Sequence, residues 1–288
     1  AHVEEMISLG TTTMEIKSGY GLSPEAEIKQ LRVARKLADD LPIGITTTFL
    51  GPHAVPQEYT SEEYVEIVLN DMLPLVIQQN LAEYGDIFCE EGFFSLDESR
   101  RVLSAYKEAG LKLKMHAEEM KNSGSAQLAA ELGARSADHL LYISEEGMKA
   151  MRASGTIPVL MPGTAFTLDL NYAPAREMIE QDLPVALGTD FNPGTCLIKS
   201  MLLVMALAVM RMRMSIGEAL TAATLNAAAA INRADSVGSL EIGKRADVVL
   251  LDLDNFKQIP YLFAHDVVES VIVSSNVVYK RANGLHLD

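Results

Sequence analysis

Along most of the chain, short apolar and β-rich runs alternate with stretches of helical spacing. The β-rich runs are TTTMEIKSG (11–19), IGITTTFLGPH (43–53), DIFCEEGFF (86–94), LKLKMHAEE (111–119), ARSADHLLY (134–142), TIPVLMPGT (156–164) and PVALGTDFNPG (184–194). Between them, PEAEIKQLRVARKLADDL, SEEYVEIVLNDMLPLVIQQNLAEY and LDESRRVLSAYKEAG read as helices. Strands separated by helices predict parallel βα units. A Met-rich helix and SIGEALTAATLNAAAAI follow the last run, and the alanines of the second favour helix. From about Ser236 the texture changes. VGSLEIGKRADVVLLDLD and HDVVESVIVSSNVVYKR alternate like short antiparallel strands, with NFKQIPYLFA between them.

The fold class is therefore α/β. Residues 1–235 are expected to form a (β/α) barrel, and residues 236–288 a small β layer that would not be stable alone. Seven runs are one short of the eight strands that close such a barrel. Each run ends in polar or special residues: SGYG, GPH, CEEG, HAEE, DHLL, PGT and TDFNPG. In a barrel these ends form one mouth, where chemistry sits.

Composition narrows the partners. With 288 residues, 48% of them hydrophobic, the chain can bury a large core. Its formal net charge of −15 repels a phosphate backbone, so nucleic acid is excluded as a partner. The longest apolar run, Met201–Met210, has ten residues, half of what spans a bilayer, so it predicts a buried helix and no membrane span. Two cysteines, Cys89 and Cys196, make no disulfide framework and fit a reducing, cytoplasmic setting. The opening AHVEEMISLG reads as the end of an amphipathic helix and lacks the pattern of a signal peptide, so the sequence is expected to be entered part-way through a longer protein.

Four strand-end residues stand out: His116, His139, Asp190, and Glu119 three positions after His116. A single strand-end histidine is more often a satisfied structural residue. Two histidines and an aspartate from different strands at one mouth outweigh that reading, and they can hold a divalent metal with an open water position. Tyr20 and His53 also occupy strand ends, although Gly19, Gly21, Gly51 and Pro52 equally mark tight turns there. Asn192, Gly194 and Thr195 lie in a Gly-Pro loop whose N–H groups suit an anionic ligand, or simply a loop. Cys89, Glu90 and Glu91 read as structural. Gly-rich phosphate fingerprints and a GxSxG elbow are absent from the sequence.

Taken together, MHAEE, SADHLL, PVALGTDFNPG, EIKSGYGL, TFLGPHAVP and GSLEIGKRADVVLLD resemble the amidohydrolase superfamily, and within it the imidazolonepropionase family, from near residue 1 to about 280. GTD and GKRAD are shared across amidohydrolases; SGYGL, FLGPHAVP and TDFNPGT in this order are more specific. The resemblance implies hydrolysis of 4-imidazolone-5-propanoate to N-formimidoyl-L-glutamate in histidine breakdown, with one zinc or iron ion in a distorted barrel. It also implies a small-molecule substrate and a homodimer. On this reading His116 and Asp190 are metal ligands, and Asp190 also accepts a proton. Glu119 contacts the substrate ring and assists catalysis, and His139 places a catalytic hydrogen bond beside the ion. Tyr20, His53, Asn192, Gly194 and Thr195 fall on substrate contacts.

One departure is large. The family carries His-x-His, two further metal ligands, at the end of its first barrel strand, followed by an arginine for the substrate carboxylate. The histidines here stand at 2, 53, 116, 139, 265 and 286, and none forms that pair. The strand expected to be missing from the barrel is thus the first, and two expected ligands are not among these residues. Two other readings follow: another mononuclear amidohydrolase acting on a different ring, or a non-catalytic barrel remnant. Cys89-Glu90-Glu91, where binuclear cyclic-amide hydrolases place a bridging lysine, favours a single ion.

Overall fold

β1 (Thr13–Lys17) runs parallel to β2 (Gly44–Phe49), Thr13 opposite Gly44 and Lys17 opposite Thr48, in a computed structural model that describes residues 1–282. The sheet continues through β3 (Tyr84–Gly85), β4 (Phe88–Cys89), β5 (Lys112–Ala117), β6 (Ser136–His139), β7 (Ile157–Leu160) and β8 (Ala186–Leu187). Every pairing is parallel, in the order β1-β2-β3-β5-β6-β7-β8. β4 also pairs with β5: Gly85 lies opposite Leu113, and Phe88 opposite His116. β3 and β4 are thus two pieces of one stave, interrupted at Asp86 and Ile87. The seven staves are those the sequence pattern predicts, and the path ends at β1 and β8 without pairing them.

Local chemistry explains the helices and their breaks. Pro24–Asp40 starts with Ser23, whose side chain accepts the Ala26 N–H, and with Pro24, whose missing N–H costs nothing in a first turn. The expected long helix from Ser61 is not uniform. It runs Ser61–Ile67, then a π turn over Val68–Met72, then Leu73–Gln78. Pro74 cannot donate and its ring crowds the carbonyl four residues back, so the wider turn forms just before it. The alanine-rich stretch likewise splits into Ile216–Ala223 and Leu225–Ala230 at Thr224, whose hydroxyl donates to the Leu220 carbonyl at 2.7 Å.

The C-terminal sheet is antiparallel, β11 (Asn276–Lys280), β10 (Val268–Val273) and β9 (Val248–Leu251) in spatial order. VGSLEIGKRAD does not extend it. Gly238 and Gly243 turn the chain through positive φ (+91° and +95°), and Arg245 folds back on Asp247. Val268, Val271 and Val273 of β10 join the same continuous core as the barrel, which gives this thin layer the cover it needs. The last six residues of the expected 236–288 segment lie outside the described residues.

Behind the staves, Tyr64, Tyr84, Tyr106, Phe49 and Phe94 are fully buried. Such side chains supply about 1.5–3 kcal/mol each in transfer free energy. Gly85 is required by this packing, because a Cβ there would stand 2.1 Å from the Tyr106 ring.

Candidate functional site

The C-terminal ends of the staves open on a single cavity of about 1460 Å³. Tyr20, His53, His116, Glu119, His139, Asp190, Asn192 and Thr195 all line it. Gly194 sits at its edge, where a Cβ would come 2.8 Å from the Tyr20 hydroxyl. The volume exceeds that of an ordinary ligand pocket because the cavity runs on along the unpaired seam, past Thr13 and Met14 of β1 and Leu187 of β8.

His116, next to last in β5, is almost fully buried, and its Nδ1 lies 3.2 Å from Asp86 Oδ1. Burial disfavours its cationic form, but the Asp86 carboxylate outweighs this and raises its pKa. Asp86 itself is fully buried. That alone would raise its carboxyl, yet the Lys17 ammonium and His116 hold it well below the usual range. The ring of His139 lies 5.1 Å from that of His116, and that of His53 lies 6.1 Å from it. His139 Nδ1 is buried and makes no hydrogen bond among the described residues; Glu119 Oε1 stands 3.5 Å away. A buried polar atom without a partner is costly, and one aimed into a cavity fits a ligand.

His53 Nδ1 contacts the Gly19 carbonyl at 3.0 Å. Burial, then the neighbouring His116, pull its pKa down to about 4, so at neutral pH it donates from Nδ1 and leaves Nε2 as an acceptor. Asp190 Oδ2 accepts from the Thr164 hydroxyl at 2.5 Å, which fixes the carboxylate. Asn192 organises the loop after β8: its Oδ1 accepts from the N–H groups of Gly194 and Thr195 and from the Tyr20 hydroxyl.

Two of these side chains sit on strained backbone. His139 has φ +76° and Asp190 φ +51°, a region that non-glycine residues seldom occupy. Such strain costs about 1–3 kcal/mol and gathers at functional sites. Glu119 is held from below. The buried Glu90 accepts its N–H at 2.7 Å, and Glu118, also buried, accepts the Gly124 N–H. Cys89 fits the structural reading, because burial pushes its thiol up to about 11.

Lys17, Asp86 and Asp138, which sequence reasoning missed, lie just beneath. Among the described residues, Asp86, His116 and Asp138 bring ligand atoms within 4.8 Å of one another. Lys17 Nζ lies 2.5 Å from both aspartates. Of the two expected metal ligands, only His116 belongs to this tight group; Asp190 faces it from the mouth. The donors accord with a divalent ion at the cavity: the Nε2 of His116 is free of its Asp86 contact, Asp190 is a fixed carboxylate, and His139 Nδ1 is unpartnered.

Known proteins match this chain over nearly all of its length. The amidohydrolase family model covers residues 1–278. The imidazolonepropionase of Clostridium tetani is 50% identical over 282 residues, 97% of this chain and 67% of that protein. That of Porphyromonas gingivalis is 49% identical over 283 residues, again 67% of its length. The chain thus spans about two thirds of these relatives. Among solved structures, a zinc-bound adenosine deaminase from Xanthomonas campestris superposes with a TM-score of 0.75 at 17% identity, covering 100% of this chain and 70% of that one. A guanine deaminase from C. acetobutylicum gives 0.74 at 16% identity, covering 96% and 74%. Likeness at that identity shows the fold alone. Half-identity over 97% of the chain shows more: the chain belongs to the amidohydrolase family and, within it, to the imidazolonepropionases.

Proposed function

We propose that this protein hydrolyses 4-imidazolone-5-propanoate to N-formimidoyl-L-glutamate, a ring opening in histidine degradation. The observation that carries the reading is the half-identity to imidazolonepropionases over 97% of the chain. The cavity supports it, since it gathers the strand-end residues at one mouth.

His116 and Asp190 would hold a single zinc or iron ion. When bound, such an ion supplies an acidified water for attack on the ring. The remaining roles belong to the chain's own groups. Asp190, anchored by Thr164, accepts the proton released on attack. His139 stabilises charge that develops on the ring oxygen, and Glu119, 3.5 Å from it, carries a proton toward the ring nitrogen. Neutral His53 offers Nε2 to the substrate, and Tyr20 with the loop 192–195 holds its far end. Two free buried cysteines accord with a cytoplasmic setting, and no helix among the described residues is long and apolar enough to cross a membrane. A homodimer is part of the same proposal.

The test is a ring-opening assay on the full-length reading frame, with metal analysis of the same sample. Turnover of imidazolonepropionate with about one ion per chain supports the reading. A folded, metal-loaded protein that leaves this substrate intact and deaminates another ring would replace it with the general amidohydrolase alternative.

A further inference from the structure

Below His116 the barrel lumen holds a cluster of charges that meets the mouth through His116. Lys17 Nζ lies 2.5 Å from Asp86 Oδ2, 2.5 Å from Asp138 Oδ2 and 3.9 Å from Glu15 Oε1. Asp86 and Asp138 are 0% and 1% exposed. Each aspartate uses its second oxygen elsewhere. Asp86 Oδ1 accepts the Ile87 N–H at 2.8 Å and faces His116 Nδ1 at 3.2 Å; Asp138 Oδ1 accepts from the Ser136 hydroxyl at 2.9 Å. Lys114 closes the group, with Nζ 3.0 Å from Glu15 Oε2 and 3.2 Å from Ser136 Oγ.

The spacing of Asp86, His116 and Asp138 is that of a metal site, but the space between the carboxylates is filled by the lysine. Two buried carboxylates this close stay ionised together only with a cation between them. An ion placed there would have to displace Lys17 and take His116 through Nδ1. The observed contacts give the opposite polarity. A carboxylate beside Nδ1 is an acceptor, so Nδ1 carries the proton and the lone pair lies on Nε2.

We propose that Lys17 is a positioning residue: as the internal cation between Asp86 and Asp138 it fixes Asp86, which holds His116 with its proton on Nδ1 and Nε2 free for a metal ion at the mouth. This rests on the proposed function only for the presence of that ion. It assigns the charged cluster to orientation of a ligand and leaves it no ion of its own.

The experiment uses zinc-loaded protein from the full-length reading frame with ¹⁵N-labelled histidine. His116 is expected to show a proton on Nδ1 and zinc on Nε2; zinc on Nδ1, or a proton on Nε2, overturns the proposal. In Lys17→Met, zinc affinity is expected to fall about tenfold to a hundredfold, the range for losing a group that orients a ligand. The His116 Nδ1–H signal should shift with it. A folded Lys17→Met protein with unchanged zinc affinity and an unchanged His116 signal overturns the proposal too. If that variant does not fold, the spectra of the unaltered protein decide alone. Loss of ring-opening activity toward imidazolonepropionate, with both histidine results as expected, would sink the proposed function and leave this inference standing.

Discussion

The Tyr20 hydroxyl donates to Asn192 Oδ1 at 2.9 Å, joining the loop after β1 to the loop after β8 across 172 residues of sequence. The contact lies on the side of the mouth where β1 and β8 themselves do not pair. The Tyr20 ring also packs against that of His53, tilted by 54° with centroids 5.0 Å apart. The tyrosine therefore positions two groups that face the cavity, and it is half-exposed and open to a ligand.

Tyr20→Phe removes one hydrogen bond and keeps the ring contact with His53. A neutral hydrogen bond contributes about 0.5–1.5 kcal/mol net. KM should therefore rise about twofold to tenfold while kcat changes less, because contacts made equally in ground and transition states act on binding. His53→Ala should act the same way and more strongly. Steady-state kinetics on the full-length enzyme check both. A fall in kcat at unchanged KM would move these residues into the catalytic set.

Asp190→Asn keeps the shape and the Thr164 contact but loses the charge and the proton acceptor. Turnover should fall at least about a hundredfold, roughly 2.7 kcal/mol in the barrier, with the melting temperature held or raised. Near-normal turnover by a metal-loaded variant would show the assignment of Asp190 to be wrong.

These mouth residues were legible in the sequence because strand-end position is a property of pattern. LKLKMHAEE shows where an apolar run stops, and His116, Glu119, His139 and Asp190 follow from such stops. The lumen network was not legible. Glu15 and Lys17, Lys114 and His116, and Ser136 and Asp138 recur at every second residue, as polar residues do on a strand with one face in water. Only the parallel register, with His116 opposite Asp138, turns that face inward. The strained backbone of His139 and Asp190 was hidden for another reason: neither position carries the glycine that usually marks positive φ. The breaks at Pro74 and Thr224 were lost because helical spacing persists through them.

Glu118 gives a pH dependence with a definite sign. Burial raises its pKa to about 7, from an ordinary 4.5. Below the unfolded value the carboxyl is protonated in both states and carries no penalty. Between about pH 4.5 and 7 the unfolded chain releases this proton first, so the native state loses stability as pH rises. Above the folded value the penalty is constant. Glu118→Gln, neutral at every pH, should thus stabilise the protein at pH 8 by about 1–3 kcal/mol and change little near pH 4.5. Denaturant midpoints at the two pH values decide; an equal effect at both would mean that folding does not raise the Glu118 pKa.

Residues 1–288 expressed alone should hold the ion only weakly. A catalytic zinc site normally keeps three protein ligands and an open position. Here His116 and Asp190 are the assigned donors, His139 lies beside them, and the sequence has no His-x-His. Two donors should leave the ion exchangeable. The cavity also runs along the unpaired seam, where Met14, Val159 and Leu187 line it, and both seam strands present unpaired backbone groups. Such an edge invites association. Expressed alone, these residues should be metal-poor after dialysis against a mild chelator, inactive in ring opening, and prone to self-association on gel filtration. Stoichiometric zinc or iron together with measurable turnover would mean that His139, or a donor not assigned here, completes the site without the His-x-His pair.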